Sequence, residues 1–251
     1  MLAFWESKLN KRNRKAQIMN LESILSSVKT SKNSFNLNDS FKTIRYISDD
    51  EYSDNVHKYV EPMFTETTHS LNGHSPRFIL FSAPGATGKT ALAQHICYSK
   101  HGIYWDLPDN KVAEYSLQGA IQNAVGAEYL SDFYKSIKNG DDFLVIDAFD
   151  EAEAGSGRTG IEFFLRDLNT ITNDCDHICA ILMARTESAL FIKNYLLHND
   201  IPFIHYEVGY FAEYNAKTYI KNGLEKLRVP VTDIVNQCIE AKFREIKRIL
   251  L

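Results

Sequence analysis

The residue types and spacing between Ala83 and Thr90 are suited to binding phosphate. This stretch reads Ala-Pro-Gly-Ala-Thr-Gly-Lys-Thr and follows an apolar run at 78–81. Glycine at two positions lets backbone N–H groups approach phosphate oxygens, and a following helix adds the positive end of its dipole. Lys89 is expected to reach the β- and γ-phosphates of a nucleotide, and the Thr90 hydroxyl to hold Mg²⁺. The predicted nucleotide-binding residues are Ala83, Pro84, Gly85, Ala86, Thr87, Gly88, Lys89, Thr90 and Ala91.

A group of acidic residues after a second apolar run could hold a metal ion and activate water. The run at 143–146 is short and uninterrupted, which predicts a parallel strand buried on both faces. Asp147, Asp150 and Glu151 then fall at the carboxyl end of this strand, where open α/β sheets bind their ligands. We expect Asp147 to hold Mg²⁺ through water, and Asp150 or Glu151 to orient the attacking water. A solvated acidic loop is the alternative.

A third apolar run, at 178–184, ends in a cation, Arg185. An arginine at the carboxyl end of a strand beside bound phosphates could balance the charge of the γ-phosphate or respond to its presence. We therefore count Arg185 with the catalytic residues. The alternative is a local ion pair of Arg185 with Glu187 or Glu151.

The elements that must position these groups alternate between strand and helix. Such alternation implies a parallel sheet with right-handed crossovers, flanked by helices. A further strand separates the acidic strand from the loop strand along the chain, as in additional-strand ATPases. The predicted strands are 77–82, 102–106, 142–147, 178–184 and 203–208, and the predicted helices are 89–99, 116–137 with a possible break at Gly126, 160–170, 187–197 and 212–226.

The run from Phe143 to Glu151 resembles the extended Walker B sequence of the STAND class of P-loop NTPases, especially the NACHT-like branch. That pattern has four hydrophobic residues, an Asp, two variable residues and two acids. The strand ending at Arg185 is similar to the sensor 1 strand of that class, and 207–220 is similar to the strand and helix that follow it. The resemblance covers about residues 75–225.

This resemblance implies a P-loop NTPase fold of the additional-strand type, with a parallel five-stranded sheet. It also implies an ATPase that binds ATP or ADP with Mg²⁺, hydrolyses ATP slowly and assembles into a homo-oligomer on activation. Such modules act with effector or sensor proteins, often in antiviral defence against phage. In STAND proteins a winged-helix domain and a repeat sensor follow this module. The chain is therefore expected to be a piece of a longer protein or a reduced module.

Three other functions use the same residues. An AAA+ motor or loader would need an arginine finger, from Arg158 or Arg166, and a second sensor arginine, from Arg244 or Arg248. A small-molecule phosphotransferase would need an acceptor pocket and a mobile lid rich in arginine. A binding module without turnover is disfavoured by the intact Asp147, Asp150 and Glu151. The guanine-reading Asn-Lys-x-Asp pattern is missing from the sequence, which favours ATP.

Composition and charge describe an ordinary globular chain. The 251 residues carry a net charge of −4, so no global nucleic-acid footprint is indicated, and no apolar run is long enough to span a membrane. We expect a cytoplasmic protein with reduced cysteines. The predicted organisation is an N-terminal basic helical extension and linker at 1–42, a nucleotide-binding core at 43–228, and a C-terminal helical segment at 229–251 that begins a lid.

Some local patterns give further expectations. Residues 152–160 contain three glycines and are predicted to form a flexible loop, and residues 50–63 to form a helix. In related ATPases the segment before the first strand often touches the adenine, so the resemblance makes Ile44, Tyr46 and Ile47 candidates for that contact. Pro230 sits where the family has a proline near the adenine. Cys175, His177 and Cys179 alternate along the chain, but we do not expect them to bind metal, because Cys179 enters a strand and no fourth ligand has matching spacing.

Overall fold

The computed structural model describes residues 18–38, 40–56, 58–71, 73–107 and 112–250. Within these ranges eight strands form one sheet in the order β1-β3-β8-β4-β7-β6-β5-β2. The strands are β1 Ile18–Met19, β2 Ile44–Arg45, β3 Phe64–Ser70, β4 Phe78–Ala83, β5 Ile103–Asp106, β6 Leu144–Asp147, β7 Ala180–Arg185 and β8 Phe203–Val208.

The centre of the sheet is parallel and its edges are antiparallel. Strands β8, β4, β7, β6 and β5 run parallel to one another, and β7 lies between the loop strand β4 and the acidic strand β6. β3 pairs antiparallel with β8, β1 with β3, and β2 with β5. The predicted mixed α/β class is confirmed, but the sheet has eight strands where five were predicted.

The extra strand β3 follows the helix that was predicted at 50–63, and that helix itself ends at Val56. The sequence of β3, Phe-Thr-Glu-Thr-Thr-His-Ser, has one apolar residue, so hydrophobic periodicity gave no signal. Threonine favours extended backbone, and pairing with β8 satisfies the backbone of this polar strand.

Nine helices of four or more residues lie in the described ranges. They are α1 Leu21–Ile24, α2 Asp49–Val56, α3 Lys89–Lys100, α4 Ser116–Val125, α5 Leu130–Asn139, α6 Phe149–Thr172, α7 Thr186–His198, α8 Glu213–Lys226 and α9 Asp233–Leu250. The predicted helix 116–137 is broken at Gly126, as expected, and resumes after a short 3₁₀ turn at Ala127–Tyr129.

The segment 152–160 is helical and forms the first part of α6, so the predicted flexible loop is wrong. The helix is interrupted at Gly157, where φ is 69° and ψ is 174°. Neighbouring groups hold the segment: the hydroxyl of Ser156 accepts a bond from the backbone N–H of Val112 at 2.9 Å, and Glu153 accepts one from the hydroxyl of Ser188. These tertiary contacts offset the low helix propensity of glycine.

The described residues before the core pack against it. Leu21, Ile24, Leu25 and Val28 are buried in the cluster that includes Ile96 of α3. Ser31 is also buried and hydrogen-bonds to Asp142. The predicted basic helix lies outside the described residues.

The C-terminal helices are exposed in comparison. None of the residues of α8 is buried, and Tyr214 and Ile234 are largely exposed. Within the described ranges no helix is both long enough and apolar enough to cross a membrane.

Candidate functional site

The loop between β4 and α3 has the backbone conformation that a phosphate cradle requires. Gly88 has φ 84° and precedes the first residue of α3, and Ala86 has φ 60°. Left-handed backbone at these positions turns successive N–H groups in one direction, and Gly88 does so without a steric penalty. The Thr87 hydroxyl donates to the carbonyl of Pro84 at 2.8 Å, which braces the loop. The predicted residues 83–91 thus form one continuous strand end, loop and helix start.

Asp147 lies at the carboxyl end of β6 and is buried, with 2% exposure. Its carboxylate accepts from the Tyr104 hydroxyl at 3.1 Å and from the backbone N–H of Ala148 at 2.8 Å, and it lies near the Thr90 side chain. Burial raises the pKa of Asp147, while these bonds and the charge of Lys89 oppose the rise. The two predicted Mg²⁺ ligands, Thr90 and Asp147, therefore lie close to each other.

Lys89 is the first residue of α3 and is partly exposed. Its ammonium group forms neither a hydrogen bond nor an ion pair with the part of the chain that the structure describes, and its charge acts on Asp147. A cation at this position, next to backbone N–H groups and a helix N-terminus, is available to an anionic ligand.

Arg185 ends β7 beside the loop, because Ala83 and Arg185 are register partners. Its Nε donates to Oδ2 of Asp150 at 2.7 Å, and its backbone N–H donates to Oδ1 at 3.3 Å. A Cβ on Gly85 would lie 3.9 Å from its Cζ, so the guanidinium lies alongside the loop. Arg185 pairs locally, but with Asp150 rather than with Glu187 or Glu151.

The two acids predicted to orient water have different surroundings. Asp150 is half-buried, and its carboxylate is engaged by Arg185. Glu151 is exposed, and its carboxylate has no hydrogen bond or ion pair within the described ranges. Of the two acids, Glu151 is the one whose carboxylate remains available to bind water.

A cavity of about 230 Å³ adjoins the loop. Ala86, Thr87, Gly88 and Ala91 form one wall, and aromatic side chains form much of the rest. The aromatic residues are Tyr59, Tyr210, Phe211 and Tyr219. A mostly apolar cavity beside a phosphate loop has the chemistry that a flat aromatic base requires.

The predicted adenine contacts are not in this cavity. Ile44 is fully buried on β2, which pairs with β5 at the edge of the sheet remote from β8. Neither Tyr46, Ile47 nor Pro230 lines the cavity. The segment from Asn55 to Pro62 takes the place expected for them, because α2 ends at Val56 and the chain then passes the loop.

Helix α8 is bonded to that same segment. Asn222 donates to the carbonyl of Lys58 at 3.0 Å, Asn215 to that of Glu61 at 2.7 Å, and Lys226 to that of Asp54 at 2.6 Å. Tyr219 of α8 stacks on Phe211 with ring centroids 5.1 Å apart. The C-terminal helices are thus connected directly to the walls of the cavity.

Three groups near the site were missed from the sequence. Tyr104, buried on β5, donates to Asp147. Tyr59 stacks on His95 of α3 at 3.8 Å. His205 hydrogen-bonds through Nε2 to the Ser82 hydroxyl at 2.7 Å and through Nδ1 to the Thr67 hydroxyl at 2.6 Å. Ser82 and His205 are polar residues within mostly apolar strands, and that feature of the sequence could have drawn attention to them.

The arginines considered as fingers lie on α6 and are ion-paired. Arg158 contacts Glu153 at 3.1 Å, and Arg166 contacts Glu114 at 2.8 Å. Arg244 is exposed on α9. The structure brings none of these three next to the loop through a described contact.

Comparison with known proteins finds little. No protein-family model matches the chain, and no curated protein matches it significantly. Among solved structures, the chain is similar to one described as the structure of C. elegans PCH-2, with 19% sequence identity and a TM-score of 0.33. The match covers 62% of this chain and 41% of that chain, so this chain spans less than half of it. This likeness does not identify a function.

Proposed function

We propose that the chain is a P-loop NTPase module that binds ATP with Mg²⁺ and hydrolyses it slowly. The observation that supports this most is the meeting of Thr90 with the buried Asp147 next to Lys89. A buried carboxylate, a hydroxyl and an ammonium group at one strand edge form the set that a Mg²⁺–phosphate ligand requires. Mg²⁺ would supply charge neutralisation for the β- and γ-phosphates.

The loop and the cavity together account for the whole nucleotide. Backbone N–H groups of 85–90 would bind the phosphates, and the cavity with Tyr59 and Phe211 would hold the base. Arg185 would leave Asp150 for the γ-phosphate, and Glu151 would orient the attacking water. The position of β7 between β4 and β6, with Arg185 at its end, supports an arrangement of the additional-strand type.

The biological use that fits best is a nucleotide switch of the STAND or NACHT-like type that assembles on activation. The bonds from α8 to the segment 54–61 support this, because they connect the cavity walls to helices that are otherwise exposed. A ligand that changes those walls therefore also acts on the position of the C-terminal helices.

An AAA+-like motor or loader is the second candidate. The helical pair α8–α9 after the sheet and the exposed Arg244 favour it, since such enzymes carry a helical lid with a sensor arginine. Steady turnover stimulated by a protein or nucleic-acid partner would favour the motor over the switch. The phosphotransferase is less favoured, because Arg158 and Arg166 both lie on a helix and are both ion-paired.

The binding experiment compares the unmodified chain with Lys89→Ala in titrations with a fluorescent ATP analogue and Mg²⁺. We expect Lys89→Ala to lose binding, and Lys135→Ala to keep it. Lys135 lies in an exposed ion pair with Asp132 on α5 and is the matched control. Equal affinities of Lys89→Ala and the unmodified chain would remove the basis of the proposal.

The switch is tested by light scattering with no nucleotide, with ADP and with a non-hydrolysable ATP analogue, beside a turnover assay. Growth in mass with the analogue and slow turnover are expected. Glu151→Gln should keep binding and accumulate the ATP-bound assembly. A monomer in all three conditions with rapid transfer of phosphate to a small acceptor would instead identify a phosphotransferase.

A further inference from the structure

A second cluster of side chains that can bind metal ions lies at the end of the sheet opposite to the phosphate loop. Cys175, His177 and Cys179 precede β7, and their ligand atoms all lie within 4.8 Å of one another. The cluster lies at the amino ends of the parallel strands, whereas the phosphate loop and Asp147 lie at their carboxyl ends. The cluster therefore shares no residue with the proposed nucleotide site.

The distance between two of the three ligand atoms fits a tetrahedral ion with soft ligands. Sγ of Cys179 and Nε2 of His177 are 3.7 Å apart. With Zn–S near 2.3 Å and Zn–N near 2.0 Å, two ligands of one tetrahedral ion are separated by about 3.5 Å. Binding of one ion by both atoms requires Nε2 to give up its hydrogen bond to the carbonyl oxygen of Ile137.

The histidine has a carboxylate beside the ring nitrogen that points away from the cysteines. Its Nδ1 faces the carboxylate of Asp176 at 3.2 Å, and its Nε2–H donates to the carbonyl oxygen of Ile137 at 3.0 Å, on the side of the cysteines. A carboxylate on the far nitrogen fixes the ring and makes the near nitrogen a better ligand. Gly140 allows this approach, since a Cβ there would lie 3.0 Å from Nε2.

Backbone carbonyls near the cluster favour binding of a cation, whereas two nearby basic side chains oppose it. The last turn of α5 directs the carbonyls of Ile137 and Lys138 toward the cysteine sulfurs, at 4.0 Å each, and a helix C-terminus attracts positive charge. Arg77 and Lys29 also lie nearby and add positive charge. We therefore expect weaker binding than at a site with four protein ligands.

We propose that Cys175, His177 and Cys179 form a site for Zn²⁺ or a similar soft divalent ion, with water as the fourth ligand. Cys175 lines an adjoining cavity of about 390 Å³, through which the ion and its water can enter. On binding, both thiols lose their protons and Nε2 exchanges its proton for the ion. All three protein ligands belong to the segment before β7, so the bound ion would fix the conformation of that segment.

The test uses the full chain, treated with a chelator and kept under a phosphine reductant, and titrated with Co²⁺ and then Zn²⁺. We expect one Co²⁺ per chain, with thiolate-to-cobalt charge-transfer absorption and the intense visible bands of tetrahedral geometry, both removed by Zn²⁺. Cys175→Ser and His177→Ala should each weaken binding at least tenfold. Asp176→Asn should weaken it by about tenfold, the lower end for a group behind the ligand.

Cys238→Ser is the matched control, because Cys238 is exposed on α9, and its spectrum should equal that of the unmodified chain. Circular dichroism checks that each variant is folded. The buried Cys179 could also be replaced by serine, but that change risks unfolding the chain. The test therefore relies on Cys175→Ser, because Cys175 is the more accessible cysteine. Absence of charge-transfer absorption in the folded unmodified chain, or an unchanged Co²⁺ affinity of Cys175→Ser, overturns the proposal. Neither result bears on ATP binding, which Lys89→Ala tests separately.

Discussion

The ion pair between Arg185 and Asp150 gives the sharpest prediction about the nucleotide site. Nε of Arg185 lies 2.7 Å from Asp150, and the Arg185 side chain is 51% exposed. If Arg185 responds to the γ-phosphate, the phosphate must compete with Asp150 for the guanidinium. Replacing Arg185 by alanine should therefore affect the binding of ATP and leave the binding of ADP unchanged.

The magnitudes separate this role from a structural one. Arg185 is half exposed, and Asp150 keeps its hydrogen bond from the backbone N–H of residue 185, so losing the ion pair should cost about 1 kcal/mol. Arg185→Ala should therefore lower the unfolding temperature by no more than about 4 °C. A hydrogen bond to a charged group contributes about 1.5–3 kcal/mol, which corresponds to roughly a 10- to 150-fold loss of affinity. The loss of ATP affinity should thus exceed anything that the change in stability explains.

The assay is isothermal titration of the chain with ADP and with a non-hydrolysable ATP analogue, in the presence of Mg²⁺. Arg185→Lys keeps the charge but loses the planar fork, and should recover only part of the affinity. Asp150→Asn removes the competing carboxylate and should strengthen binding of the analogue by up to about fivefold, which matches the value of the pair. Lys135→Ala breaks an exposed ion pair elsewhere and is the control.

Two results would refute the reasoning. Equal losses for ADP and the analogue in Arg185→Ala would mean that the guanidinium supports the loop or the α- and β-phosphates. Unchanged affinity for both ligands would mean that Arg185 stays with Asp150 and takes no part in binding.

Three further predictions concern buried groups. Because burial raises the pKa of Asp147 above its unfolded value, the unfolded chain loses this proton first as pH rises, and the ionised form destabilises the nucleotide-free fold. Asp147→Asn should raise the unfolding temperature at pH 7, with a gain that vanishes toward pH 4, and should abolish Mg²⁺-dependent turnover. Tyr104→Phe should keep the fold and weaken Mg²⁺-supported ATP binding by about tenfold, since one bond to Asp147 is lost; Mg²⁺ titration of turnover measures this. Burial lowers the pKa of His205 to about 4, so the unfolded chain binds the proton first as pH falls. Denaturant titrations should show the unfolding free energy falling below pH 6.5 by up to about 1.4 kcal/mol per pH unit from His205, and His205→Gln should remove this slope while the exposed control His69→Gln keeps it.

The sequence was informative where burial on both faces leaves an uninterrupted apolar run. β4 and β6 were predicted to within about two residues, since both consist of buried residues. The loop after β4 was predicted because its function requires particular residue types at fixed positions. Both signals are local, and neither depends on which strands are neighbours.

Contacts that depend on sheet order could not be predicted. Arg185 meets Asp150 because β7 lies next to β6, and it lies beside Gly85 because β7 also pairs with β4. The strand β3 and the first part of α6 were missed for a related reason. The former is polar and the latter is rich in glycine, so partners distant in sequence determine their conformation.

The attachment of α8 explains how nucleotide binding could be transmitted without a large interface. No residue of α8 is buried, so apolar burial contributes little to its docking. Among the described contacts, three side-chain bonds to the backbone of the segment 54–61, an exposed ion pair of Glu225 with Lys58 and one aromatic stack hold it, and each contributes about 1 kcal/mol or less. A total of a few kcal/mol lies close to the 1–3 kcal/mol of a typical coupling free energy. A ligand that distinguishes two positions of the cavity wall can therefore shift the C-terminal helices between docked and released states, whereas a helix buried in the core would not respond.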